Sequence, residues 1–70
     1  MAQVKASMAG NVWKLLVKKG DTVEVGQEVA ILESMKMEIP ITAEVAAVVK
    51  EVKTSEGEFI NEGDVIFELE

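Results

Sequence analysis

Moved along itself by 37 positions, the chain pairs Val4–Glu33 with Ile41–Glu70 without a gap. The identities are Ala6/Ala43, Ala9/Ala46, Val12/Val49, Gly20/Gly57, Gly26/Gly63, Leu32/Leu69 and Glu33/Glu70, and Val23/Ile60 and Val29/Ile66 add conservative pairs. A repeat of this kind reads as a duplicated supersecondary unit. It restricts the chain to folds that two similar halves can build together, because 70 residues leave room for one small domain, spanning residues 1–70.

Each copy carries a glycine-acid pair, Gly20-Asp21 or Gly57-Glu58, then a second glycine, Gly26 or Gly63, then a strand closing on Leu-Glu. These glycines mark tight turns that need a positive φ. They do not form a phosphate cradle, since the spacing is not that of a P-loop and no Gly-Lys-Ser/Thr follows. Between the turns lie short, Val- and Ile-rich segments with partial alternation: Val4–Ala6, Gly10–Val17, Thr22–Val23, Val29–Ser34, Met37–Ile41, Ala46–Val52, Phe59–Ile60 and Val65–Glu70. A helix over Ala43–Val52 is the competing pattern, but Val45, Val48, Val49 and Val52 favour a strand there. Eight short strands in one small domain predict an all-β barrel or compact sandwich.

Seven Lys+Arg against thirteen Asp+Glu give a net charge of −6, which argues against nucleic acid and anionic membranes and for proteins with basic patches. Met1-Ala2-Gln3-Val4-Lys5 has no apolar core of a signal peptide, and no run approaches the length of a membrane span, so a soluble cytoplasmic protein is expected. The chain is either free-standing or a domain cut from a longer one, and the initial methionine favours the first. Histidine and cysteine are both absent. That removes the commonest general base, the thiol nucleophile and most transition-metal ligands, so a non-catalytic role is expected.

The seven residues between the copies, Ser34-Met35-Lys36-Met37-Glu38-Ile39-Pro40, belong to neither. Pro40 fits the edge or end of a strand. Lys36 falls at the tip of the expected hairpin. An ordinary lysine amine is protonated and poorly nucleophilic at neutral pH, so it does little chemistry alone. As the substrate of a ligase that supplies an activated acyl group, it becomes the root of a long amide-linked arm. A hairpin tip holds such an arm clear of the domain while the strands fix where it points.

Glu33-Ser34-Met35-Lys36-Met37-Glu38 resembles the Ala-Met-Lys-Met signature of biotinyl domains, with Ser34 in the alanine position. The glycine turns stand at matching distances on either side, so the resemblance to the biotinyl/lipoyl attachment family covers essentially all 70 residues. It implies a flattened, hammerhead-like barrel of two four-stranded antiparallel sheets related by a quasi-two-fold axis, with the modified lysine, here Lys36, at a turn at one end and both termini at the other. It also implies covalent biotin on Lys36, attached by a biotin protein ligase. Partners would then be carboxylase or carboxyltransferase subunits, with the domain itself a monomeric carrier.

Lipoate on the same lysine, placed there by a lipoyl ligase, is the nearest alternative, and an unmodified interaction module of the same fold is a third. The methionines lean towards biotin, since lipoyl domains usually have Asp before the lysine. Met35 and Met37 suit a surface a ligase must recognise, or pack over the end of the core. Glu33 and Glu38 are candidate recognition residues, although Glu33 shares a strand-end position with Glu70. Trp13 is expected to be partly buried, and Lys18 and Lys19 to form a solvated face. The sequence departs from the family at Ser7 and Glu44, where proline is common, and at Ala47, where glycine is common. A positive φ at Ala47 would strain the second copy.

Overall fold

The computed structural model describes residues 2–70; Met1 lies outside the described residues. Eight strands follow in order: β1 (Ala2–Lys5), β2 (Gly10–Leu15), β3 (Thr22–Val23), β4 (Glu28–Ser34), β5 (Met37–Thr42), β6 (Ala47–Val52), β7 (Phe59–Ile60) and β8 (Val65–Leu69). They form two antiparallel four-stranded sheets, ordered β1-β8-β6-β3 and β5-β4-β2-β7. This is the expected all-β architecture of two sheets, and Ala43–Val52 contains a strand rather than a helix.

The halves are interlaced. β3 of the first copy pairs with β6 of the second, and β7 of the second pairs with β2 of the first. The turns are bonded the same way. The Gly20 N–H donates to the Val49 carbonyl at 2.8 Å and the equivalent Gly57 N–H to the Val12 carbonyl at 2.7 Å. The Gly26 N–H likewise reaches the Ala43 carbonyl and the Gly63 N–H that of Ala6, at 2.8 and 2.9 Å. The four turn glycines have φ between +84° and +94°, as the sequence predicts. At Gly20 and Gly57 that conformation aims the N–H across the molecule, and a side chain there would strain it.

The core follows the repeat. Of the fifteen buried apolar residues among those described, fourteen fall into seven pairs 37 apart: Val4/Ile41, Ala6/Ala43, Val12/Val49, Val23/Ile60, Val29/Ile66, Ala30/Phe67 and Leu32/Leu69. A chain of 7.6 kDa would expose about 11,000 Å² unfolded, whereas the fold exposes 4300 Å². So small a core depends on every pair. The fifteenth member, Val17, has Thr54 as its counterpart, and the buried Thr54 hydroxyl oxygen has no hydrogen-bond partner. Among the described residues it is the one buried side-chain nitrogen or oxygen without a partner.

Strand ends differ from expectation by one or two residues. β2 stops at Leu15 instead of Val17: the Leu15 N–H donates to the Glu56 carboxylate at 2.9 Å, and the Leu16 N–H makes a last bond to the Val29 carbonyl of β4 at 3.0 Å. Pro40 lies on β5, an edge strand, as its missing donor requires. Ala47 has no positive φ, so the strain expected there is absent. Lys18 and Lys19 are exposed, Lys18 forming a 3.8 Å surface ion pair with Asp21.

Thr54→Val should raise the stability of the fold by about 1 kcal/mol, because it removes a buried hydroxyl without a partner at nearly constant volume. Phe67→Ala should lower it by about 3–5 kcal/mol. Urea unfolding followed by tryptophan fluorescence or circular dichroism checks both signs.

Candidate functional site at the β4–β5 hairpin

The longest ladder in the molecule carries the site. β4 and β5 pair from Glu28↔Thr42 to Ser34↔Met37, and the last pair leaves only Met35 and Lys36 to reverse the chain. A two-residue connection between twisted strands is a type I′ or II′ turn, and the I′ form needs φ > 0 at both positions, which is why Asn-Gly is its usual sequence. Here Met35 has φ 52° and Lys36 φ 65°, and among the described residues they are the only non-glycines with positive φ. The left-handed conformation costs a residue with a Cβ roughly 1–2 kcal/mol. The ladder below offsets this cost and holds the turn closed.

β2 supports the same turn from beneath. A Cβ built on Gly10 would lie 2.8 Å from the Glu33 carbonyl oxygen and 3.4 Å from the Ser34 Cβ, so the end of β4 rests directly on the Gly10 backbone. The quasi-two-fold carries the hairpin onto the chain termini: Ala2↔Leu69 and Gln3↔Glu68 are the counterparts of Ile39↔Leu32 and Pro40↔Ile31. The second copy therefore has no turn to support, and alanine stands at Ala47 where the first copy has Gly10.

Met35 is 89% and Met37 58% exposed, so neither packs over the core end, and that reading of them is corrected. In a two-residue turn and at the first position of an edge strand, their side chains have no layer above them to enter. Lys36 is exposed, and among the described residues no side chain ion-pairs or hydrogen-bonds with its amine. Glu33 and Glu38 are exposed and face each other as a cross-strand pair, a placement that like charges ordinarily disfavour. The five residues singled out in the sequence thus converge on one tip.

Trp13 is 43% exposed, partly buried as its apolar neighbours suggested. A β-bulge between Val12 and Lys14 sets both Trp13 and Lys14 opposite Ile31 on the outside of the sheet, with the Lys14 ammonium 5.7 Å from the indole centroid. Bulges re-aim side chains in this way. Two features went unread in the sequence: the support by Gly10 and the backbone strain at the tip. The glycine-for-alanine difference at Gly10/Ala47 was the available signal for the first.

Residues 2–69 match the family model described as "Biotin-requiring enzyme". The chain belongs to this biotin/lipoyl family. A similar family member is the biotin/lipoyl attachment protein of Bacillus subtilis (strain 168), 67% identical over 66 residues that cover 94% of this chain and 90% of that one. On the lipoyl side, the dihydrolipoyllysine-residue acetyltransferase component of the pyruvate dehydrogenase complex of Azotobacter vinelandii is 46% identical over 61 residues, 87% of this chain but 10% of that protein. Among solved structures, the urea carboxylase of Kluyveromyces lactis contains a domain that superposes with a TM-score of 0.87 at 29% identity, covering 94% of this chain and 6% of the enzyme. The biotin/lipoyl family thus includes both near-full-length relatives and small portions of large multidomain proteins.

Met35→Asn should stabilise the fold by about 1 kcal/mol, since asparagine enters the left-handed region more readily and the methionine buries little. Gly10→Ala should destabilise it by about 1–3 kcal/mol, because backbone and not a flexible side chain blocks the new methyl. Thermal unfolding of the two variants beside the parent tests the opposite signs.

Proposed function

We propose that residues 1–70 form a single monomeric carrier domain, biotinylated on Lys36 by a biotin protein ligase, that shuttles carboxyl groups between partner active sites of a biotin-dependent carboxylase or decarboxylase in the cytoplasm. The observation that carries this reading is the exposed Lys36 at a strained two-residue turn, held out by the longest ladder of the fold.

The residues fit a covalently attached group. The amine has no competing partner among the described residues, and the turn points away from the core. In the attachment step the ligase accepts the amine's proton and Lys36 Nζ attacks the activated acyl carbon. The C–N amide bond forms as the bond from that carbon to the adenylate oxygen breaks, and AMP leaves. Attached biotin supplies a ring nitrogen that takes up and releases a carboxyl group. The chain contributes the rest: rigidity below the turn, exposed Met35 and Met37 beside the amine for recognition, and Glu33 and Glu38 as an acidic lure for a basic enzyme surface. Tethering raises the effective concentration of the carried group at each site within reach of the arm.

Kinship with the acetyltransferase component supports a second reading, lipoylation of the same lysine. Intact mass spectrometry separates the two. Incubated with biotin, ATP and a biotin protein ligase, the chain should gain the mass of one biotinyl group, and Lys36→Arg should gain none. A gain after lipoyl ligase treatment alone would assign the lipoyl reading instead. Labelling of the Lys36→Arg variant would refute attachment at Lys36.

A further inference from the structure

The quasi-two-fold provides an internal control for the surface of the molecule. The outer face of the β5-β4-β2-β7 sheet carries Phe59, Trp13, Ile31 and Pro40; the 37-residue offset places Thr22, Lys50, Glu68 and Gln3 at the same positions of the other sheet. The registers agree: Lys14↔Ile31↔Pro40 corresponds to Glu51↔Glu68↔Gln3, and both sheets have the bulge. One fold thus makes the same outer face twice, with these four positions apolar on one sheet and polar on the other, while Lys14, its ammonium 5.7 Å from the Trp13 centroid, and its counterpart Glu51 are both charged. Asn11, with half-buried Val48 as its counterpart, and Glu28, with half-buried Val65 as its counterpart, reverse the trend. Folding therefore does not require apolar residues at these sites, yet Phe59 is left 62% exposed and Trp13 43%. Exposed aromatics at the centre of a surface are the usual anchors of protein recognition.

The apolar strip belongs to the sheet that bears the hairpin. It is bounded towards the tip by the facing pair Glu33 and Glu38, and at the far end of β2 by Glu56, whose carboxylate accepts the Leu15 N–H. An occupant with an apolar centre and a basic rim complements this surface. A second copy does not, because it would bring two chains of net charge −6 together on their acidic rims. Ile31 lies three residues before the end of β4, about 10 Å along the strand from the turn. The enzyme that acylates Lys36 must bring its active centre to the amine itself, within one side-chain length of that turn. Enzymes acting later work at the end of a longer arm.

We infer that the outer face of the β5-β4-β2-β7 sheet, centred on Trp13, Ile31 and Phe59, is a docking surface for the acylating ligase, which grips this face while Lys36 enters its active centre. The inference rests on the attachment reading above.

Steady-state biotinylation of the intact chain by a purified biotin protein ligase tests it. Phe59→Thr and Trp13→Ala should each raise the KM for the chain about tenfold and leave kcat within twofold, because they touch docking and not the reacting atoms. On the other sheet, Thr22→Ala at the counterpart of Phe59 and Glu51→Ala at the counterpart of Lys14 should leave both constants unchanged, and added salt should raise the parent's KM. Circular dichroism of each variant reports whether the sheets persist; if one of the two face variants is unfolded, Ile31→Thr replaces it. An unchanged KM in the folded face variants, or an equal rise in the counterpart variants, overturns the inference. So does sedimentation showing a dimer that the face variants abolish without altering ligase kinetics. A parent chain that gains no label at Lys36 overturns the attachment reading itself, a result distinguishable from unchanged kinetics of a labelled chain.

Discussion

The N–H groups of the turn glycines donate across the molecule: Gly20 to Val49, Gly57 to Val12, Gly26 to Ala43 and Gly63 to Ala6. Each copy thus satisfies its turns and its shortest strand on the other copy, and neither half contains a complete sheet. Burial follows the same rule, since fourteen of the fifteen core residues are matched across the repeat. A half-chain would leave both its apolar face and its backbone donors unpaired, a cost of several kcal/mol for buried groups. Folding is consequently expected to be cooperative over the whole chain, with most contacts non-local.

That interlocked body makes the strained tip possible. A turn with left-handed Met35 and Lys36 would not hold in an isolated hairpin, where the cost is comparable with the gain from a few ladder bonds. Here the Glu28–Ser34 strand is central in its sheet, paired by β5 on one side and β2 on the other, with Gly10 permitting β2 to lie against the Glu33 carbonyl. Rigidity is delivered up to Ser34 and Met37, and the residues beyond are free for recognition. For a carrier this division has a physical purpose: the attachment point must be placed reproducibly while everything beyond it swings.

Duplication gave the molecule two equivalent surfaces, and they have diverged. The termini occupy in one half the place that the hairpin occupies in the other, so only one sheet leads to a hairpin tip. Phe59, Trp13, Ile31 and Pro40 lie on that sheet, and Thr22, Lys50, Glu68 and Gln3 hold the equivalent positions of its twin. The same divergence explains Gly10 against Ala47 and puts the buried Thr54 hydroxyl at the position equivalent to Val17. Departures from the repeat, more than the repeat itself, mark where this chain does something other than fold.

Much of this was legible in the residue order. The 37-residue offset, the four turn glycines and the β-branched segments are local or periodic signals, and they suffice for eight strands, for the quasi-two-fold and for the singular place of Lys36. The interlacing of the halves, the outward placement of Trp13 and the exposure of Met35 and Met37 were not legible. Each depends on which strand lies beside which, and the one-residue bulge between Val12 and Lys14 reverses the alternation from Lys14 onward, leaving Trp13 and Lys14 on the same side. Sequence by itself determined the elements, their duplication and the candidate lysine, because turns and alternation are properties of short segments. Tertiary structure alone decided the strain at Met35-Lys36, its support by Gly10 and the apolar face beside it, because those arise only where β2, β4 and β5 are brought together.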